Sequence, residues 1–537
     1  MRKKRMEAAK KIYGIQWFLI LLSCAGTLQG QVYQESMKYG QFLHFLDKYY
    51  VDSIHAGKLV EEAINFHLKQ LDPHSTYISA DEVQKMNEPL QGNFEGIGIS
   101  FNILDDTLFV INPTPNGPSE KVGIISGDRI VKVDDRNIAG TGLTNDDVFS
   151  LLRGPKGTKV TVTVKRRAID KLLDFEIIRD KIPITSIDAA YQITEGVGYI
   201  KLNRFSLTTM DEFLEAGIEL KRKGVNDLIL DLTGNTGGYL DIAVALADQF
   251  LDDEKLIVYT EGLHSERRDY LASLSGLFEQ GKVIVLIDEE SASASEIVAG
   301  AIQDWDRGII IGRRSFGKGL VQRQLELPDG SMIRLTTAKY YTPTGRLIQK
   351  PYEDGLEEYQ NEIFKRFQHG EFVNSDSISF PDSLRYETLL NKRFVFGGGG
   401  IMPDIFIPLD TALYSTYERE LIRQGILNQF ILQYVDSNRK KLNSTYKNVH
   451  QLNEEFLITS DLLLQLENYA TEIGLKTKPE TIKSSDEEFH LLIKAYIARD
   501  LFSVNDFFVI INQRDENVQK AIDVLNNWEL YGNKVLF

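Results

Sequence analysis

Two groups of residues in this chain suit nucleophilic chemistry. One is a serine triplet, Ser291-Ala-Ser293-Ala-Ser295, followed by Glu296; the other is a glycine-flanked lysine, Lys318, in Phe316-Gly317-Lys318-Gly319. A serine presented at a helix N-terminus has unpaired backbone N–H groups beside it that can receive a developing oxyanion. Its hydroxyl needs a base. The chain has no Gly-x-Ser-x-Gly elbow, and none of its eight histidines stands in a triad context. His74 and His264 fall in loops and read as surface or capping residues. A lysine base must be neutral near pH 7, against an ordinary pKa of about 10.4. Burial beside Phe316, Leu320 and Val321 would lower that value, and Arg313 or Arg314 would push the same way. Gln322, four residues on, can orient the amine without the negative charge by which an aspartate would hold its proton on.

The elements around these residues follow from composition. Lys282–Ile287 (KVIVLI) and Gly308–Gly312 (GIIIG) are short β-branched runs and read as buried strands. The triplet therefore sits at a strand-to-helix turn, with the lysine beyond the next strand. Taken alone, Ser-x-x-Glu is equally a helix cap, and spacing does not choose among the three serines. There is no His-Glu-x-x-His, no cysteine pair and no dense acidic loop, so the sequence implies no metal and no cofactor.

Several further segments, in order, resemble the C-terminal processing peptidases, or tail-specific proteases. They are LDPHSTYISADE (71–82), GNFEGIGIS (92–100), DLTGNTGGYLDIAVALADQFL (231–251), SASASEI, SFGKGLVQ, KYYTPTGRLIQ (339–349) and GGGGIMPDI (397–405). The resemblance implies that Ser293 is the nucleophile, Lys318 the general base and Gln322 its orienting partner. It also implies an oxyanion hole from the backbone N–H of Ala294 with that of Gly237 or Gly238. The fold it implies is a crotonase/Clp-protease-like α/β protease core with an inserted PDZ domain and helical N- and C-terminal regions. Two departures stand out: Thr233 where the family usually has arginine, and Arg313-Arg314 where it often has an acid. Asp304 falls where the family tends to have an acid, and reads equally as a charge near a helix end.

At 537 residues, several domains are expected. The net charge of −16 disfavours general nucleic-acid binding. Residues 1–30 read as an export signal: six basic residues lie within the first eleven, and Ile15–Leu22 is an apolar run too short to span a bilayer. Cleavage before Gln31 would leave a soluble exported chain. Alternatively Cys24, in Leu-Leu-Ser-Cys, resembles a lipobox and would tether the chain to a membrane. The expected location is the bacterial periplasm or cell envelope. Cys24 is the only cysteine, so no disulfide is expected.

The remainder divides into four parts. Residues 31–91 carry apolar residues at helical spacing. Residues 92–180 alternate short β runs with turns around a helix, Asn145–Leu152, and resemble a PDZ domain. There Gly96-Ile97-Gly98-Ile99 corresponds to the carboxylate-binding loop, and Val148 and Leu152, at i and i+4, line the apolar pocket or the domain core. Residues 181–410 alternate strands and helices as an α/β core. Residues 411–537 are charged and helical, with Ile426, Leu427, Phe430, Ile431, Tyr434 and Val435 on one amphipathic face. Expected partners are proteins or peptides with accessible C-termini, and a second copy of the chain. The rival readings are a catalytically idle envelope scaffold that binds C-termini through its PDZ domain, and an amidase or esterase acting on small molecules.

Overall fold

The computed structural model describes residues 32–167, 169–273, 276–411, 413–476 and 487–535. The expected export signal, with Cys24 and Gln31, lies outside them. Residues up to Tyr77 form one unit, with helices at 32–49 and Ala56–Lys69. The second unit begins at Ile78.

The second unit is built on a six-stranded sheet, and the turn after its strand Val283–Ile287 leads into the serine triplet. The strand order is Ile187–Thr194, Val197–Leu202, Asp227–Asp231, Val283–Ile287, Ile309–Gly312 and Ile405–Phe406. The first pair is antiparallel and the rest are parallel. Parallel strands are buried on both faces, which is why these runs are almost continuously apolar. Alternate side chains point to opposite faces. Leu230, Val285 and Ile310 pack with Phe213, Leu246 and Ile297 from helices Thr209–Arg222, Leu240–Asp248 and Ala294–Asp304. The other face, with Ile229, Ile284 and Ile311, is covered by Val518, Ala521, Val524 and Leu525 of helix Glu516–Asn526. One face of the core sheet is thus covered from beyond residue 410, where the sequence places the core's end.

An antiparallel sheet holds Leu256–Gly262, Ser265–Leu271, Leu320–Glu326 and Met332–Tyr341. The hairpin of its last two strands begins two residues after Lys318. The expected PDZ region folds around Leu108, Ile130 and Val162, and its helix spans Asn145–Leu152 as read from the sequence. A two-stranded ribbon, Asn93–Gly96 with Asp180–Pro183, closes the insertion at its base. The C-terminal helices have their own core, into which Ile426, Leu427, Phe430, Ile431 and Val435 are buried.

Candidate active site

The structure separates the three serines by what their hydroxyls do. Ser291 Oγ donates to the Leu232 carbonyl (2.9 Å) and accepts from the Asp288 N–H (2.9 Å). Ser295 Oγ donates to the Asn235 carbonyl (2.8 Å). Both side chains are fully buried and fix the 231–240 loop. Ser293 instead lines a cavity of about 430 Å³, together with Lys318, Gln322, Ala294, Gly237 and Gly238. It immediately precedes helix Ala294–Asp304, with φ +57° and ψ −110°, a conformation that costs energy in a residue bearing a Cβ. The sheet holds it there, on a sharp turn between strand and helix.

Lys318 is half-buried and donates from Nζ to Gln322 Oε1 at 3.1 Å, the pairing expected from their spacing. Leu320 and Val321 line the same cavity. Phe316 does not: its ring packs against Tyr359, and the Lys350 ammonium lies 4.1 Å from its centre. The two arginines expected to act on the amine are also engaged elsewhere. Arg313 pairs with Glu289 at 2.6 Å, and Arg314 with Glu371 at 2.7 Å. Each sits beside a carboxylate, so its charge is largely offset. The second cation on the cavity wall is Arg334.

Two buried residues that sequence reasoning left without a catalytic role tie Ser293 to Lys318. The Glu296 carboxylate accepts from the backbone N–H groups of Ser293 (2.8 Å), Gly317 (2.7 Å) and Lys318 (2.9 Å), and from Ser315 Oγ (2.5 Å). Burial raises its pKa to about 7, against the opposing pull of these donors. The Tyr340 hydroxyl lies 3.0 Å from the Ser293 carbonyl oxygen and also bonds that of Lys318. Burial raises the Tyr340 pKa well above its ordinary value, so it keeps its proton. Local sequence shows Glu296 only as part of a helix cap and Tyr340 only as a strand aromatic.

Ala294 occupies the first helical position, so its N–H has no acceptor within the helix. The neighbouring turn requires glycine. A Cβ at Gly237 would lie 2.8 Å from Ser293 Cβ, and one at Gly238 would lie 2.0 Å from the Phe205 carbonyl oxygen. Asn235, fully buried, shapes the turn: its amide donates to the Leu202 carbonyl (2.9 Å), and its Oδ1 accepts from the Gly237 N–H (2.9 Å). Of the two glycine donors, Gly237 is therefore already engaged within the turn. Near Thr233, the Lys201 ammonium reaches Asp231 Oδ1 (2.9 Å) and both the carbonyl and hydroxyl oxygens of Thr233 (2.6 Å each).

The other candidates lie apart from this cavity. Asp304, at the far end of the helix, pairs with Arg346 (2.5 Å) and accepts from Thr344 N–H (2.9 Å), a structural tie. His264 is in the turn between Leu256–Gly262 and Ser265–Leu271. In the inserted domain, Gly96 ends one strand and Ile99 begins the next, with Ile97 and Gly98 between them. Val148 and Leu152 are buried in that domain's core beside Ile97. Phe149 is the exposed large apolar residue of that helix, and its ring meets Phe101 edge-on.

Residues 196–357 match the model of peptidase family S41, residues 109–166 that of the PDZ domain, and residues 417–503 a family of unknown function, DUF8443. A carboxy-terminal-processing protease of Bartonella bacilliformis is 37% identical over 321 residues, 59% of this chain and 73% of that protein. A probable CtpA-like serine protease of Staphylococcus haemolyticus is 34% identical over 356 residues, 66% of this chain and 70% of that one. Among solved structures, a photosystem II D1 C-terminal processing protease is 28% identical, covering 58% of this chain and 89% of that one, with a TM-score of 0.33.

Proposed function

Since the chain belongs to peptidase family S41, as a C-terminal processing serine peptidase with a PDZ domain, we propose that Ser293 and Lys318 cut its substrates through an acyl-enzyme. Neutral Lys318, oriented by Gln322, takes the proton from Ser293 Oγ as that oxygen attacks the scissile carbonyl. The oxyanion rests on the N–H groups of Ala294 and the Gly237–Gly238 turn, Gly238 being the better placed because Asn235 engages its neighbour. The protonated lysine then gives its proton to the leaving amine. Next it takes a proton from the water that opens the ester. The observation that carries this reading is the division of labour in the triplet: two hydroxyls are fixed to backbone carbonyls, and Ser293 lines the cavity that holds the amine.

The PDZ domain receives the substrate's C-terminal tail at the Gly96–Ile99 loop, and the protein acts in the bacterial periplasm or cell envelope after export. Replacing Ser293 by alanine tests the chemistry: cleavage of an unfolded protein should cease, and an unchanged rate in a protease-free preparation would refute the assignment. Tail recognition requires that a peptide with a free apolar C-terminus be cut faster than its amidated form. Mass spectrometry of the mature N-terminus tests export. Gln31 indicates signal cleavage, diacylglyceryl-Cys24 indicates a lipid anchor, and an intact Met1 counts against both.

A further inference from the structure

Arg334 stands on the wall of the Ser293 cavity, on strand Met332–Tyr341 directly opposite Gln324. Its Nη2 is buried and has no hydrogen-bond partner, and it joins no ion pair among the described residues. Burial holds its pKa below the usual arginine value, as for a charge partly removed from water with no carboxylate beside it. In a chain with 77 acidic residues, none of the described residues lining this cavity is Asp or Glu. Its ionisable cations are Lys318 and Arg334, and the mechanism requires the first to be neutral. A partly desolvated guanidinium on the wall of an active-site cleft is complementary to a carboxylate, which such a group can bind through two parallel hydrogen bonds.

We propose that Arg334 is a specificity residue that binds a carboxylate of the substrate chain close to the scissile bond. The proposal rests on the cavity being the peptidase site. Strand register gives the distance. The Gln324–Arg334 pair lies two residues along the hairpin from the Gln322–Thr336 pair, about 7 Å at strand spacing. An extended substrate covers that distance in two residues, which places the recognised group within a few positions of the cut. It is either an acidic side chain or the terminal carboxylate of a short tail; the guanidinium reads the same group in both.

The test uses the mature full-length enzyme and two sets of matched peptides. One set exchanges Glu for Gln at each position within four residues of the cut, and the other exchanges a free C-terminal acid for the amide. The readout is the ratio of kcat/KM within each pair, from which any general loss of activity cancels. Wild type should favour the carboxylate in at least one pair by roughly tenfold to a hundredfold, as expected for a charge-assisted hydrogen-bonded pair. In Arg334→Gln that ratio should fall towards one. Arg334→Lys, which keeps the charge but loses the fork, should fall between them and carries the test if the glutamine variant does not fold. A fall confined to a Glu/Gln pair identifies a side chain, and one confined to the acid/amide pair identifies a chain terminus. Equal ratios in wild type and variants, or no discrimination by wild type, would overturn the proposal. Ser293→Ala run in parallel keeps the two readings distinct: loss of all cleavage there upholds the peptidase site whatever Arg334 does.

Discussion

Glu296 holds Ser293 and Lys318 by their backbones, and its own ionisation is finely balanced. Four donors surround its two oxygens, so a glutamine there would turn an NH2 group towards N–H donors. Glu296→Gln should therefore lower kcat at least tenfold and cost about 1–3 kcal/mol of stability, the usual penalty for buried unpaired polar groups. The pH dependence has a definite sign. Its pKa is raised from 4.5 to about 7 in the fold, so between these values the native state retains a proton that the unfolded chain releases. Stability from this residue then falls as pH rises through that window. Thermal melts should show the variant's deficit relative to wild type shrinking from pH 5 to pH 7; a constant deficit would mean that Glu296 does not titrate there. Tyr340→Phe removes the hydroxyl that bridges the two carbonyls. It should slow turnover with little change in KM, and cost about 1 kcal/mol.

The 231–240 loop, proposed above to hold the oxyanion, shows how elements compensate for a missing side chain. Thr233 stands where the resembled motif carries arginine, and a cation arrives from the neighbouring strand. Lys201 and Asp231 are register partners between Val197–Leu202 and Asp227–Asp231, and the ammonium continues to Thr233. Both side chains of the pair are about nine-tenths buried. Lys201→Met leaves a buried carboxylate unpaired, which should cost about 3–5 kcal/mol. If this tie positions the turn, kcat should fall more than KM rises in the surviving fold. A proportionate loss of folded enzyme with normal kcat per active site would show a purely structural role. Pairings of this kind mark the limit of what was legible in the chain. The buried strands, the helix Asn145–Leu152 and the Lys318–Gln322 bond follow from local composition and short spacing. Lys201 and Asp231, thirty residues apart, meet only through sheet register, and Arg313 and Arg314 find Glu289, Glu362 and Glu371 only through tertiary folding. Adjacency in sequence therefore suggested the wrong neighbours for the lysine.

At the scale of the molecule, the attachments of the PDZ domain include two that are distant in sequence from each other. One is the ribbon Asn93–Gly96 with Asp180–Pro183. The other is helix Ile426–Thr445, where Leu432 packs against Leu104 and Phe109, and Asp436 pairs with Arg129 at 2.9 Å. Arg167 also donates to the Asp436 carbonyl at 3.0 Å. The same C-terminal region supplies helix Glu516–Asn526 to the core sheet, so one continuous stretch braces the tail-binding domain and the catalytic layer. Leu432 is 1% exposed, and its truncation to alanine should cost about 2 kcal/mol or more. If that cost falls on the brace, amides of Thr107–Pro113 should exchange roughly thirtyfold faster with solvent, while those of Val283–Ile287 keep their protection. Hydrogen-exchange mass spectrometry separates the two segments. Equal loss of protection in both would show that Leu432 supports the whole fold, and no loss in either would mean that the ribbon and the ion pairs hold the PDZ domain without it.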